Sequence, residues 1–198
     1  MTQDLLLPHF YDTLSQEIHQ HNVNVGWWDN PDECIYQKLQ LTSTEVAEAT
    51  EGAWKNLMVT HLTHRKMEEV EYADTMIRLL DLGGRLHLTY RPNAYVHAWC
   101  DEDNTIGKQH LGINRHIIDL ARSIEDLEQQ KGRLKRLMAQ TALYGLEMDY
   151  SATINAIVQV SYHRGFELFT TLQEKRLYND QRADHKRENR NKSDGKKF

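Results

Sequence analysis

The chain is poor in the residues that break helices and in those that cross-link them. Three prolines and ten glycines in 198 residues leave long stretches without punctuation, which favours long helices over many short strands. Two cysteines, Cys34 and Cys100, are too few for a disulfide framework or a cysteine-bound zinc site. A reducing, cytoplasmic setting is the default expectation. No apolar run approaches the ~18 residues of a membrane span, so no membrane partner is expected. The opening MTQDLLLPHF lacks the basic start of a secretory signal.

What the chain does have is ordinary in amount and uneven in place. Charged residues make up 27% and the hydrophobic set 39%, enough for one domain with a real core. The net charge is −5, yet residues 182–198 hold seven basic against three acidic residues. The rest of the chain then holds 17 basic against 26 acidic residues. An acidic body argues against nucleic acid as a partner, because phosphate contacts dominate that affinity. It suits a protein that gathers carboxylates around metal ions. The expected organisation is a single domain over 1–180 and a basic tail over 181–198.

Helical spacing recurs along the body. Leu6, Phe10, Leu14 and Ile18 predict a first helix over 4–21. Gly26, Asn30 and Pro31 mark residues 22–31 as a loop, and Pro31 with Asp32 suits the start of a second helix. That helix is expected to run to about Val59 on Ile35, Leu39, Val46, Ala49 and Ala53. A third follows over 65–88 on Val70, Ala73, Ile77 and Leu80, with Gly83 and Gly84 marking a kink or a close approach. Residues 91–107 read as irregular. A fourth helix runs to about Glu128 on Ile113, Ile117, Leu120, Ile124 and Leu127. Another is expected near 132–147, and a last long one over 151–180 on Ile154, Ile157, Val158, Phe166 and Leu172. The final HKRENRNKSDGKKF has no apolar stripe and is expected to lack order when no ligand is bound. The fold class is therefore all-α, a helical bundle.

Two carboxylate pairs stand out. Glu45 and Glu48 are three apart, as are Glu71 and Asp74, with 22 residues between the pairs. Residues three apart share a helix face. If the short turn THLTH makes the two helices antiparallel neighbours, the pairs face each other. Four hard oxygen ligands around one cavity suit magnesium or manganese. Acid pairs on helices are commonly plain surface charge. Here Leu41 and Gly52 flank the first pair, and Met67 and Leu82 the second, so the acids interrupt partly apolar stripes. Buried carboxylates need cations, and Arg78 can balance part of the charge.

The runs LTSTEVAEATEG and EEVEYADTMIRLLDL resemble the paired E-x-x-E and E-x-x-D motifs of MazG-like all-α nucleotide pyrophosphohydrolases. GWWDNP resembles the tryptophan-containing loop of that family, and KRLYNDQR its lysine, tyrosine–asparagine and arginine signature. The resemblance covers about 22–82 and again 169 to the end. It departs from the family where a His-Gly pair often follows the arginine, since here His185 and Lys186 follow Arg182. Residues 91–145 are also longer than compact members need, as in phage-borne members that remove deoxyguanosine triphosphate.

The resemblance implies a four-helix catalytic core and hydrolysis of a nucleoside triphosphate to the monophosphate and pyrophosphate, with a lean to dGTP or GTP. It makes Glu45, Glu48, Glu71 and Asp74 the metal ligands, for magnesium with manganese as a substitute. Lys175 and Arg182 suit the triphosphate. Trp27 and Trp28 are candidates for stacking on the base, one of them expected only to pack. Asn22 or Asn179 would bond base or sugar, and Tyr178 either binds or packs. A homodimer or homotetramer is implied, and the host cytoplasm if the chain is phage-encoded.

Two other classes stay open. His61 and His64 beside the acids would allow a transition metal, but the E-x-x-H units of a di-iron bundle are absent. Asp184-His185 reverses the His-Asp dipeptide of another phosphohydrolase class. A non-catalytic helical interaction protein would show the same bundle with the acids as surface charge.

Overall fold

The computed structural model describes residues 3–30, 34–130 and 136–190. It is all-helical, as expected. The long helices are α1 (Gln3–Asn24), α2 (Ile35–Lys55), α3 (Met67–Leu86), α4 (Ile106–Gln130), α5 (Arg136–His163) and α6 (Leu168–Gln181). Short 3-10 turns lie at Ala98–Cys100 and Ala183–His185, and a last helical turn at Arg187–Arg190. No strand forms among the described residues. A single antiparallel bridge between Met58 and Lys66 closes the α2–α3 connection. The expected helix starts at Pro31–Asp32 and Gly132, the side chain of Leu6, and residues 191–198 lie outside the described residues.

Helix α3 runs through the middle. Its Tyr72, Met76, Leu79, Leu80 and Leu82 are completely or almost completely buried. They belong to one core with Leu14 and Ile18 of α1, Val46 of α2, Ile113 of α4, Ile154 of α5 and Leu172 of α6. Each such aliphatic side chain contributes roughly 1.5–3 kcal/mol by leaving water. Both cysteines are free. Among the described residues no helix is long and apolar enough to cross a membrane.

The glycine pair in α3 is a close approach, and the helix passes through it unbroken. A Cβ on Gly84 would lie 2.5 Å from the Cβ of His19 and 2.7 Å from the Ser15 carbonyl oxygen. One on Gly83 would lie 2.2 Å from the Tyr150 hydroxyl. The missing side chains let α1 and α5 sit directly on α3.

Several helix ends differ from the expectation. Helix α1 continues to Asn24 and shortens the tryptophan loop. Helix α2 stops at Lys55 rather than near Val59, because Asn56 turns left-handed (φ 50) and the chain closes with Leu57 N–H donating to the Gly52 carbonyl. Helix α3 ends at Leu86 with His87 in the same conformation.

The largest correction concerns the last two helices. No break separates 147 from 151. The Ser151 hydroxyl donates back to the Glu147 carbonyl at 2.6 Å, the back-bonding that lets serine sit inside a helix. The break falls at 164–167, where Gly165 takes φ +71. The tail is corrected too. Residues 182–190 fold back on the tryptophan loop, with Arg187 donating to both oxygens of Asp29 at 2.6 and 2.7 Å.

Acids of α3 hold the corner between α5 and α6. Arg164 donates to both oxygens of the buried Glu68 at 2.7 and 2.8 Å. Glu69 accepts from the Glu167 N–H at 3.1 Å and the Thr171 hydroxyl at 2.7 Å. A carboxylate at the α6 N-terminus meets the positive end of that helix. Glu68 also accepts from the Tyr72 hydroxyl, which contacts His110, and His110 contacts Thr50 at 2.7 Å.

Burial, the largest influence, lowers the pKa of His110 from about 6.5 to about 4. Its ring is neutral in the fold but protonates near 6.5 when unfolded. Between those values the unfolded chain binds the extra proton, so stability falls as pH falls from 6.5 towards 4. The expected loss from this residue is about 3 kcal/mol. Urea unfolding at pH 7 and pH 4.5 should show a shallower pH dependence in His110→Gln than in the native chain. Equal slopes would remove His110 as the cause.

Candidate functional site

Gly52 of α2 lies against the first residues of α3, where a Cβ would meet the Glu68 nitrogen at 2.8 Å. Further along, Glu45 of α2 meets Arg78 of α3 at 2.6 Å. The helices are therefore antiparallel and tightly packed, so the two acid pairs turn towards one cavity of about 490 Å³.

Three of the four acids converge. Carboxylate oxygens of Glu45, Glu71 and Asp74 lie within 4.8 Å of one another. Glu48 lines the same cavity but is exposed and stands outside this trio. Arg78 binds Glu45, and Lys175 of α6 binds Asp74 at 2.8 Å. Glu71, 7% exposed, has no ion pair among the described residues. Burial, and then the adjacent Asp74, push its carboxyl up to about 8. Burial also raises Glu45, with Arg78 opposing and Asp74 and Glu48 adding. The trio thus crowds three carboxyls beside only two cations, and without a further cation Glu71 holds its proton up to about 8. Its donors are all hard oxygens, and they fit an oxygen-coordinated divalent cation. Neither histidine considered as a ligand joins the trio. His61 lies 3.3 Å from the Lys175 ammonium and stacks on Tyr178. His64 pairs with Glu174 at 3.0 Å.

The other predicted residues divide. Lys175, Arg182, Asn179, Asn22, Trp27 and Trp28 line the cavity. The Asn179 side-chain Oδ1 is buried and accepts no hydrogen bond among the described residues. Arg182 donates to both oxygens of Asp184 at 2.7 and 3.0 Å. Tyr178 does not line the cavity. It stacks on His61 with ring centroids 4.2 Å apart. Both tryptophans are half-buried in the cavity wall, and Trp28 also packs against the core. Its ring meets His19 edge-on, with Lys38 4.7 Å and Arg85 5.3 Å from the ring centre.

The sequence reading missed Asp81 and Lys38. Asp81 lies seven residues after Asp74, and Lys38 seven before Glu45. Seven residues are two helical turns, so each continues the acid face of its helix for about 10 Å. Asp81 accepts from Asn22 at 2.8 Å and Trp28 at 3.0 Å, and contacts His19 Nδ1 at 2.8 Å. Lys38 donates to the Trp27 carbonyl at 3.2 Å. The spacing of seven was the available signal. It was hidden because Asp81 stands in the apolar run LLDL. Arg176 and His185 also line the cavity, and His185 meets Trp27 edge-on. The cavity therefore has an acid trio at one end, cations from α6 along its side, and an indole–carboxylate cluster at the other end.

No family model, curated protein or solved structure matches this chain.

Proposed function

We propose that the chain is a metal-dependent nucleoside triphosphate pyrophosphohydrolase of the MazG-like kind. The observation that carries this reading is the trio of Glu45, Glu71 and Asp74, two of them buried, within 4.8 Å of one another on facing helices. Carboxylates so placed repel one another, and a divalent cation relieves the repulsion. Magnesium suits the site because it binds through a few carboxylates and takes its remaining ligands from water and substrate phosphates. Glu48, which lines the same cavity, would be the fourth residue to hold the cation.

In the proposed reaction water attacks the α-phosphorus. The bond from that phosphorus to the bridging oxygen breaks, and pyrophosphate leaves with the electron pair. The attacking water gives up its proton to a carboxylate of the cluster. Magnesium or manganese supplies charge neutralisation on the phosphates. Arg182 and Arg176 bind the triphosphate by their planar forks. Lys175 offers a point charge between Asp74 and the substrate. The lean to dGTP or GTP, and assembly as a homodimer or homotetramer, belong to the same proposal.

One observation favours the rival, a helical interaction protein. Arg78 and Lys175 already pair with two of the three acids, as they would in a purely structural cluster. Pyrophosphate release from the eight common nucleoside triphosphates, with magnesium or manganese, decides between the two. The expected result is release of pyrophosphate with the matching monophosphate from at least one of them. If none is cut with either metal, the pyrophosphohydrolase reading fails and the interaction protein takes its place.

A further inference from the structure

Asp81 is nearly buried, with its side chain 9% exposed, and it lies in the wall of the cavity. It ties the last turns of α1 and the tryptophan loop to α3. His19 Nδ1 is 2.8 Å from Oδ1, the Asn22 amide donates to Oδ2 at 2.8 Å, and the Trp28 indole donates to Oδ1 at 3.0 Å. The indole N–H also lies 3.2 Å from Oδ2. A carboxylate engaged by three groups has little acceptor capacity left for a cation. Asp81 also stands two helical turns from Asp74, about 10 Å along α3, and no oxygen of it joins the trio. Its charge repels phosphate. The groups it fixes are an indole and an amide, which suit a flat, polar-edged ring.

From this geometry we infer that Asp81 is the positioning residue of a base subsite, and that it sets recognition of a nucleoside over a bare polyphosphate. The inference rests on the pyrophosphohydrolase reading and deepens it. The nucleotide lies along α3, with its triphosphate at the trio and α6 and its base against Trp28 and Asn22. Asp81 does not touch the reacting atoms. It holds the indole edge and the Asn22 amide at one distance and one angle, so the base meets a preformed wall. In Asp81→Asn one oxygen becomes an N–H2 group that faces donors, and the wall loses its anchor. Losing a hydrogen bond to a charged acceptor weakens binding about tenfold or more.

The test is calorimetric titration of the full chain in magnesium. The probes are the α,β-methylene analogues of the nucleoside triphosphates, with inorganic tripolyphosphate as the ligand that lacks a base. In the native chain the preferred analogue should bind more tightly than tripolyphosphate. Asp81→Asn should bind it about tenfold more weakly and leave tripolyphosphate unchanged. Trp28→Phe keeps an aromatic face but deletes the N–H donor together with the five-membered ring that carries it, so it should shift the nucleotide in the same direction and leave tripolyphosphate unchanged. It also decides the matter if Asp81→Asn does not fold. Native affinity for the nucleotide in both variants would overturn the base subsite. A parallel loss for tripolyphosphate would also overturn it, since Asp81 would then support the whole site. If the native chain binds neither probe, the pyrophosphohydrolase reading falls with it, whereas native binding of both leaves that reading intact.

Discussion

Glu71→Gln should abolish pyrophosphate release and, with the metal chelated, leave the protein more stable than the native chain. Both effects come from one carboxylate. Glu71 is 7% exposed and shares a space of 4.8 Å with Glu45 and Asp74. Arg78 and Lys175 pair with those two neighbours, so Glu71 has no cation of its own and, without metal, must either take up a proton or bear an unpaired charge. In the metal-free protein that charge is a cost, because burial and the adjacent acid both oppose ionisation. Glutamine has the same shape without the charge, so the metal-free melting temperature should rise by a few degrees, equivalent to about 1 kcal/mol. With magnesium the order reverses. The native chain gains stability by binding the ion, and the variant has lost a ligand from its centre. Activity should fall about 1,000-fold or more, the scale on which catalytic charge-stabilising groups act. Melting curves in EDTA and in magnesium, beside the pyrophosphate assay, read all three quantities. A variant that is less stable in EDTA would mean that Glu71 makes a favourable contact and that the trio is structural. A variant that keeps its activity would remove Glu71 from the reaction.

The acid spacing was legible because a helix repeats its face every three to four residues. Glu45 with Glu48 and Glu71 with Asp74 needed only that rule and a short turn to be placed opposite one another. The rule does not say which acids in the run EEVE are free for chemistry. Glu68 and Glu69 look like Glu71 in sequence. In the fold Arg164 takes the first, and Arg65 pairs with the second at 3.1 Å. Arg164 is contributed by a distant part of the chain, so no local pattern announces it, whereas Arg65 stands four residues before Glu69, the spacing of neighbours on one helical face. The α5–α6 corner was missed for a different reason. A last helix was expected to begin at 151, yet the Ser151 hydroxyl donates back to the Glu147 carbonyl and α5 runs through it unbroken. Gly165, which makes the actual corner, is a lone glycine between Arg164 and Phe166 with no second turn residue to mark it. Asp81 and Lys38 obeyed the same period as the four acids. They were overlooked because one stands among leucines and the other precedes the acid motif.

Arg164→Ala should cost about 3–5 kcal/mol of stability, the penalty for leaving a buried ion without its partner. Glu68 is 1% exposed and accepts from Arg164 through both oxygens. Among the described residues, the Tyr72 hydroxyl is the one hydrogen-bond donor left to it after the substitution, with His110 3.9 Å away. Arg164 itself is partly exposed, so the loss comes from stranding Glu68 and owes little to the attraction between the charges. It follows that Arg164→Ala with Glu68→Gln should recover much of the loss, because glutamine can be buried beside Tyr72 without a charge. Urea unfolding of the two variants measures the difference. If the double variant is no more stable than the single one, the guanidinium acts by packing on Phe166, 5.8 Å from the ring centre, and not by pairing. The site should register the same change. The Arg164–Glu68 pair joins the residue that follows α5 to the start of α3, and α6 leaves that corner carrying Lys175 to Asp74. A loosened corner lets Lys175 move from the trio, so the surviving folded Arg164→Ala protein should show weakened binding of tripolyphosphate, a ligand that Arg164 never touches.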